Sequence, residues 1–333
     1  MSETEFVSKH LIARHAGSAL WLARYMERIE NQARLLDVAK TFARDDESHR
    51  NWLSLLRING DAGTFFASNA IADATSVARF YLLDDDNPTS VQSAIRYARE
   101  SARTLRALIS TEMWLQINVF HGRIRALTEA HISPEGVSGV CAMLKEGVQA
   151  HTGITEGTFY RDQCWHFYMM GRHIERADQI TRLIDTKFHA LMPKAADAAI
   201  DAGEWNELLR AAAGYHAYRR EYPHGYRPPE VAGFLLLNTA FPRSAGLSLA
   251  QLDWHLTTLR SRYHLRGCTP ALARLDELQS MLAAQTVEEI LRRGLSQFLD
   301  WMQRELGALH TDIMTRLCGA PVLSEQKQEQ TQS

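Results

Sequence analysis

Apolar residues recur at three- and four-residue spacing along nearly the whole chain, and no strand-like alternation persists. Over residues 11–44 the rhythm runs without a proline. At ~100° per residue, Leu22, Tyr25, Met26, Ile29, Ala33 and Leu36 share one face. Arg24, Glu27, Glu30, Asn31, Arg34 and Asp37 fall on the neighbouring arc. Such a helix is roughly 45–50 Å long, a natural spine.

Further on, acidic residues 45–47 favour a new helix start, and Trp52 to Leu56 predict a short helix closed by Asn59-Gly60. Residues 65–83 predict one helix. The stop signal Asn87-Pro88-Thr89-Ser90 precedes a long one over 90–121, with a helical continuation over 123–130. Ser133-Pro134-Glu135 predicts a cap opening a helix to about residue 150, with a loop over 153–162. Residues 163–191 predict a second spine, closed by Pro193 and followed by a soft connection over 195–202. Helices are then expected at 205–222, at 231–238 as a short core segment, and at 248–262, 271–283 and 287–317. Turns rich in proline and glycine separate them.

The two spines carry one charged pattern. Arg24-x-x-Glu27-Arg28-x-Glu30-x-x-x-Arg34-Leu35-Leu36-Asp37 returns as Arg172-x-x-Glu175-Arg176-x-Asp178-x-x-x-Arg182-Leu183-Ile184-Asp185. The expected fold is all-α: a multi-helix bundle of long antiparallel helices with an internal pseudo-repeat of the charged-motif helix. The spines are expected side by side near a pseudo-twofold axis. One helical domain is expected over 11–320, in halves of about 11–150 and 151–320. Residues 1–10 would be an extension and 321–333, almost free of hydrophobes, a disordered tail.

Several stretches are similar to the bacterial alpha-E family, over residues 11–317. They are the two charged motifs, Ala98-Arg99-Glu100-Ser101-Ala102-Arg103, Ser110-Thr111-Glu112-Met113-Trp114, Tyr218-Arg219-Arg220-x-Tyr222 and Phe241-Pro242-Arg243-Ser244. The first motif departs at Ile29, where a small residue is usual, and Leu115-Gln116 replaces an acid after the tryptophan. The resemblance implies company: an ATP-grasp protein and a transglutaminase-like protein as partners, in a system that makes or attaches peptides by carboxylate–amine ligation. It supplies no catalytic residues.

Read from the residues, the charged device supports two pictures. As architecture, Glu30–Arg34 and Asp178–Arg182 are i,i+4 pairs, and packed between helices the set would fix register. As a site, arginines would grip a carboxylate or phosphate and glutamates an amine, which suits an amino acid or a peptide end. The candidate binding residues are Arg24, Glu27, Arg28, Glu30, Arg34, Arg172, Glu175, Arg176, Asp178 and Arg182. Arg99, Glu100, Arg103, Glu112, Arg219, Arg220 and Arg243 are secondary candidates. Arg243 stands just before a helix, where its charge does not help the dipole, so a buried acidic partner or a ligand is expected to explain it.

The leading expectation is a helical partner of an ATP-grasp ligase. The alternatives are an enzyme acting on amide or peptide bonds through Glu27 and Glu175, and a purely structural module. No phosphate-binding loop is present, so ATP and magnesium are expected on the partner and no cofactor here. A di-metal site needs two Glu-x-x-His pairs; Glu221-x-x-His224 is alone and interrupted by Pro223. Ser110 and Thr111 read as mid-helix hydroxyls, poor nucleophiles. His173 reads as partly buried, and Trp114, Phe120, Trp165, Phe167 and Tyr168 as core. A net charge of −2 argues against nucleic acid. No apolar run reaches the ~20 residues of a membrane span. Cys141, Cys164, Cys268 and Cys318 lie far apart and predict isolated buried thiols. With no signal-peptide core, the expected location is cytoplasmic.

Overall fold

A computed structural model describes residues 11, 13–41, 48–133, 135–191 and 202–320, without the side chains of 48–51, 187–191 and 202. The expectations for residues 1–10, the acidic cap at 45–47, Pro134, Pro193, the connection over 195–201 and the tail over 321–333 lie outside them. Fourteen α-helices and no strand occur among the described residues.

The first seven helices are α1 (Ala13–Thr41), α2 (Ser48–Asn59), α3 (Ala62–Phe66), α4 (Ala74–Leu82), α5 (Val91–Thr104), α6 (Thr111–Arg125) and α7 (Val137–Thr158). The other seven are α8 (Gln163–Leu191), α9 (Ala202–Ala211), α10 (Tyr215–Glu221), α11 (Pro228–Leu236), α12 (Ala245–Arg262), α13 (Cys268–Ala283) and α14 (Val287–Leu317). Packing in the first set is repeated in the second. Helix α1 lies on α5 and α7 as α8 lies on α12 and α14, and α5–α6–α7 pack in turn as α12–α13–α14 do. The sets cross over reciprocally, α2 packing on α8 and α9 on α1.

Helices α1 and α8 form the central pair, side by side as expected, and they run parallel, an exception to the antiparallel packing expected of the long helices in general. Their contacts advance together: the Leu11 amide reaches Gln163, Leu20 meets Gly171, and Arg24 meets Glu175. Helix α7 runs back along α1 and returns the chain to its starting end, where α8 begins beside Leu11. Antiparallel packing does hold for α1 and α7, where Asp37 meets Lys145 and Lys40 meets Ser138.

Four expected segments divide or lengthen, each for a local reason. Residues 65–83 split into α3 and α4 because Asp73 caps α4, its side chain accepting from the Ser76 amide. Residues 90–121 split into α5 and α6. Ser110 is the N-cap of α6, its hydroxyl accepting from the Met113 amide, and not a mid-helix residue. Helix α7 continues through Gly153 to Thr158, burying His151 and Thr155. The 205–222 segment breaks at Ala213, whose φ of 59° ends α9.

The buried interior includes Phe120, Trp165, Phe167 and Tyr168, while Trp114 packs at its edge. All four cysteines are free and buried, as expected. No helix among the described residues is long and apolar enough to cross a membrane.

Candidate functional site: the ionic seam between the two spines

Arg24, Glu27 and Arg28 stand at i, i+3 and i+4, so they share one face of α1. Arg172, Glu175 and Arg176 do the same on α8. Laid parallel and in register, each glutamate comes opposite the other copy's arginines. Arg24 Nε donates to Glu175 Oε2 at 2.6 Å, and Arg28 Nε to Glu175 Oε1 at 2.5 Å. Reciprocally, Arg176 Nη2 donates to Glu27 Oε1 at 2.7 Å, with Arg172 Nε at 3.7 Å from the same oxygen. Arg172 also donates to Glu156 at 3.0 Å. Aromatic rings lie against the guanidinium groups: Arg24 is 4.8 Å from the Trp21 centroid and Arg172 5.4 Å from that of Tyr168.

One turn further on, Glu30 pairs with Arg34 at 2.6 Å and Asp178 with Arg182 at 3.0 Å. Here the copies diverge. Arg243, in the loop before α12, reaches into the first copy and ties its acids together. Nη2 lies 2.6 Å from Glu30 Oε2, and Nη1 lies 3.5 Å from Glu27 Oε2. That buried acidic partner explains a cation placed against the helix dipole. The seam thus gathers all ten primary candidates and Arg243.

The other secondary candidates lie elsewhere. Arg99 bonds Asn118, and Glu100 pairs with Arg103 on the surface of α5. Glu112 is exposed in the first turn of α6. Arg219 and Arg220 are exposed on α10, where Arg220 lines a cleft of about 390 Å³ with Glu221, Asn238 and Pro242.

Glu27 and Glu175 are 3% and 2% exposed. Burial alone would push the Glu27 carboxyl up; Arg176, Arg243 and Arg172 outweigh it and hold it at about 2. Burial likewise opposes ionisation of Glu175, and Arg24 and Arg28 win, so its pKa is also lowered. Both are carboxylates at neutral pH, and neither is poised to exchange a proton. Their stabilising contribution is fully present above the unfolded carboxyl range near 4.5, and is lost as pH falls through the folded values.

Behind the seam, His173 is buried more deeply than expected and stacks on His255 at 6.0 Å, with His166 Nδ1 2.9 Å from His255 Nδ1. Desolvation holds His166 at about 4 and His173 at about 3, and it also pulls His255 down. These folded values lie below the unfolded histidine value near 6.5, so the unfolded chain takes up more protons below that pH. The urea midpoint should therefore fall steadily from pH 7 to pH 5, before carboxylates protonate. A flat profile over that range would contradict neutral burial of the trio.

The structure adds residues that sequence reasoning missed. Asn31, Gln32, Asn59, Thr89 and Gln179 line, with Arg28, Glu175, Asp178 and Arg182, a cavity of about 170 Å³ beside the second acid pair. A signal for them was present in a further repeat. Val77-Ala78-x-Phe80-x-Leu82-Leu83-x-x-x-x-Pro88-x-Ser90 returns as Val231-Ala232-x-Phe234-x-Leu236-Leu237-x-x-x-x-Pro242-x-Ser244. Trp52-x-x-Leu55-Leu56-Arg57 likewise returns as Trp205-x-x-Leu208-Leu209-Arg210.

Fold and seam together define an all-helical domain organised on two Glu-Arg pairs, Glu27-Arg28 and Glu175-Arg176. The chain belongs to the Alpha-E family, described as a predicted alpha-helical domain with a conserved ER motif, whose model matches residues 11–316. It is also similar to uncharacterized proteins of Mycobacterium bovis and of two strains of Mycobacterium tuberculosis. Each is 24% identical over 325 residues, covering 89% of this chain and 36% of the relative. The chain thus spans about a third of the length of these relatives. No solved structure matches it.

Proposed function

We propose that this chain is a cytoplasmic helical module serving an ATP-grasp carboxylate–amine ligase, holding substrate or docking the ligase, with ATP and magnesium on that partner. The observation that carries the reading is the reciprocal ionic clamp at the centre of the seam, which opens at one end into a cavity. Four arginines hold two ionised, buried glutamates in a reciprocal clamp, so the device fixes two spines in parallel register. Acid–base catalysis by Glu27 and Glu175 gains no support from this geometry. The lowered carboxyls hold no proton to give, and their oxygens are engaged by arginine.

Work with a second component is supported by the mycobacterial relatives, in which the matching region is 36% of a longer polypeptide. The identity of that component as an ATP-grasp ligase rests on the resemblance of the motifs. A transglutaminase-like protein is a further proposed partner, and a peptide or amino acid the proposed ligand. Substrate would be held where the seam opens, at the Glu175 and Asp178 end.

The test is co-expression with an ATP-grasp carboxylate–amine ligase from the same organism, followed by affinity purification and a ligation assay with and without this chain. A stable complex whose turnover depends on this chain is expected. Absence of any complex, with ligation undiminished when the chain is omitted, would end the proposal.

A further inference from the structure

The seam has two ends built to one plan, and only one of them is plugged. The loops preceding α5 and α12 have the same construction. Asp84 Oδ1 accepts from the amides of Asp86 and Asn87, and Asn238 Oδ1 accepts from those of Ala240 and Phe241. Ser90 and Ser244 then cap their helices with matching dihedrals, φ −69° and ψ 157° against φ −70° and ψ 153°. Arg243 and Thr89 each immediately precede the capping serine, so they occupy the same place in the repeat.

Their consequences differ. Around Arg243 the space left is about 10 Å³, walled by Ile180, Leu183, Ala211 and Ala212 together with Asn31, Arg176 and Gln179. Around Thr89 it is about 170 Å³, and the positions of Ile180 and Ala212 are taken by Gln32 and Asn59. A long cation has been exchanged for a short hydroxyl, and two apolar wall positions for two amides, while Asn31 and Gln179 border both spaces. The acids remain: Glu175 stands for Glu27, and Asp178 for Glu30.

The open copy also shows what is missing. Glu30 uses one oxygen for Arg34 and the other for Arg243. Asp178 uses Oδ2 for Arg182, and its Oδ1 takes no hydrogen bond among the described residues. One lining amide carries spare acceptor capacity: Gln179, which borders both spaces, has a buried Oε1 with no donor. A buried acceptor without a donor points to a donor-rich occupant. Arg28 and Arg182 do not exclude a third cation, since the filled copy holds Arg243 alongside the corresponding Arg176 and Arg34.

We propose that the cavity beside Glu175 and Asp178 binds a guanidinium cation, the head of an arginine side chain, in the place that Arg243 fills in the other half. A guanidinium suits the site better than an ammonium because its planar fork can donate to the free Asp178 Oδ1 and the unpartnered Gln179 Oε1 together. The volume fits one side-chain head and stem, below the roughly 300–1,000 Å³ of a drug-sized site. The inference concerns binding by this chain alone and stands or falls independently of the ligase partnership.

The test is titration calorimetry on the full chain with N-acetyl-L-arginine amide, free L-arginine and N-acetyl-L-lysine amide. One-to-one binding of an arginine compound is expected, with the lysine compound weaker by about tenfold or more. Binding of the capped amide identifies a peptide or protein arginine as the source; binding of the free amino acid alone identifies arginine itself. Thr89→Arg supplies an internal plug and should abolish binding in a variant that remains folded. Asp178→Asn should weaken binding by about tenfold or more, the effect of losing a charged hydrogen-bond partner. No heat with either arginine compound at about 10 mM, weaker than any useful affinity, overturns the proposal. So does wild-type affinity in folded Thr89→Arg, or, should that variant not fold, in Asp178→Asn.

Discussion

Replacing Glu175 with alanine should cost about 3–5 kcal/mol of folding stability, the range for breaking a buried ion pair from one side. The loss arises from what stays behind. Arg24 and Arg28 both direct Nε at this one carboxylate, and neither pairs with a second one among the described residues. Arg24 is 8% exposed and cannot turn to water without moving the spine. Glu27→Ala should cost less. Its arginines keep other acceptors: Glu156 for Arg172, the Pro242 carbonyl for Arg176 and Glu30 for Arg243. Urea unfolding with an unchanged m-value reads the difference directly. Equal, sub-kilocalorie losses for the two variants would remove the clamp from the account.

Gly171→Val should be comparably severe, for a steric reason. Residue 171 lies where α8 touches α1, and any side chain there would overlap the Leu20 carbonyl. Both partners are helical backbone, so neither can rotate away, and the spines must separate. Overpacking costs about 1–3 kcal/mol and more when backbone is displaced; separation would also stretch the ion pairs, so about 3 kcal/mol or more is expected. Gly153→Ala is the control. Its position on α7 has no neighbour within 4 Å of an added methyl, so the variant should be neutral or gain up to about 1 kcal/mol of helix propensity. Thermal melts of the two variants check the contrast.

What the sequence made legible, and what it hid, follows from the range of each signal. Helical periodicity is local, and it delivered the all-α fold and the start of α8. The charged motif repeated at a fixed offset was strong enough to place the spines together. Their parallel direction was hidden, because direction depends on how α2–α7 return the chain, and no local pattern carries that. The breaks at Asp73 and Ser110 were hidden by continuous apolar rhythm. A single side-chain cap decided each of them. The end of α7 was misplaced because Gly153 reads as a breaker, although it sits in helix with open space around it. Arg243 was legible as an oddity and not as a partner of Glu30, since 213 positions separate the two in sequence. The cavity beside Thr89 was legible only through the weaker Val-Ala-x-Phe repeat, whose message is the difference between the copies.

The reciprocal clamp is the central claim, and a double-mutant cycle between Arg24 and Glu175 tests it most directly. Stabilities of the wild type, Arg24→Ala, Glu175→Ala and the double variant are measured by urea unfolding. If the two groups hold each other across the parallel spines, the coupling should exceed about 1.5 kcal/mol, within the range for residues in one buried network. Losses that add to within about 0.5 kcal/mol, as for distant independent sites, would contradict it.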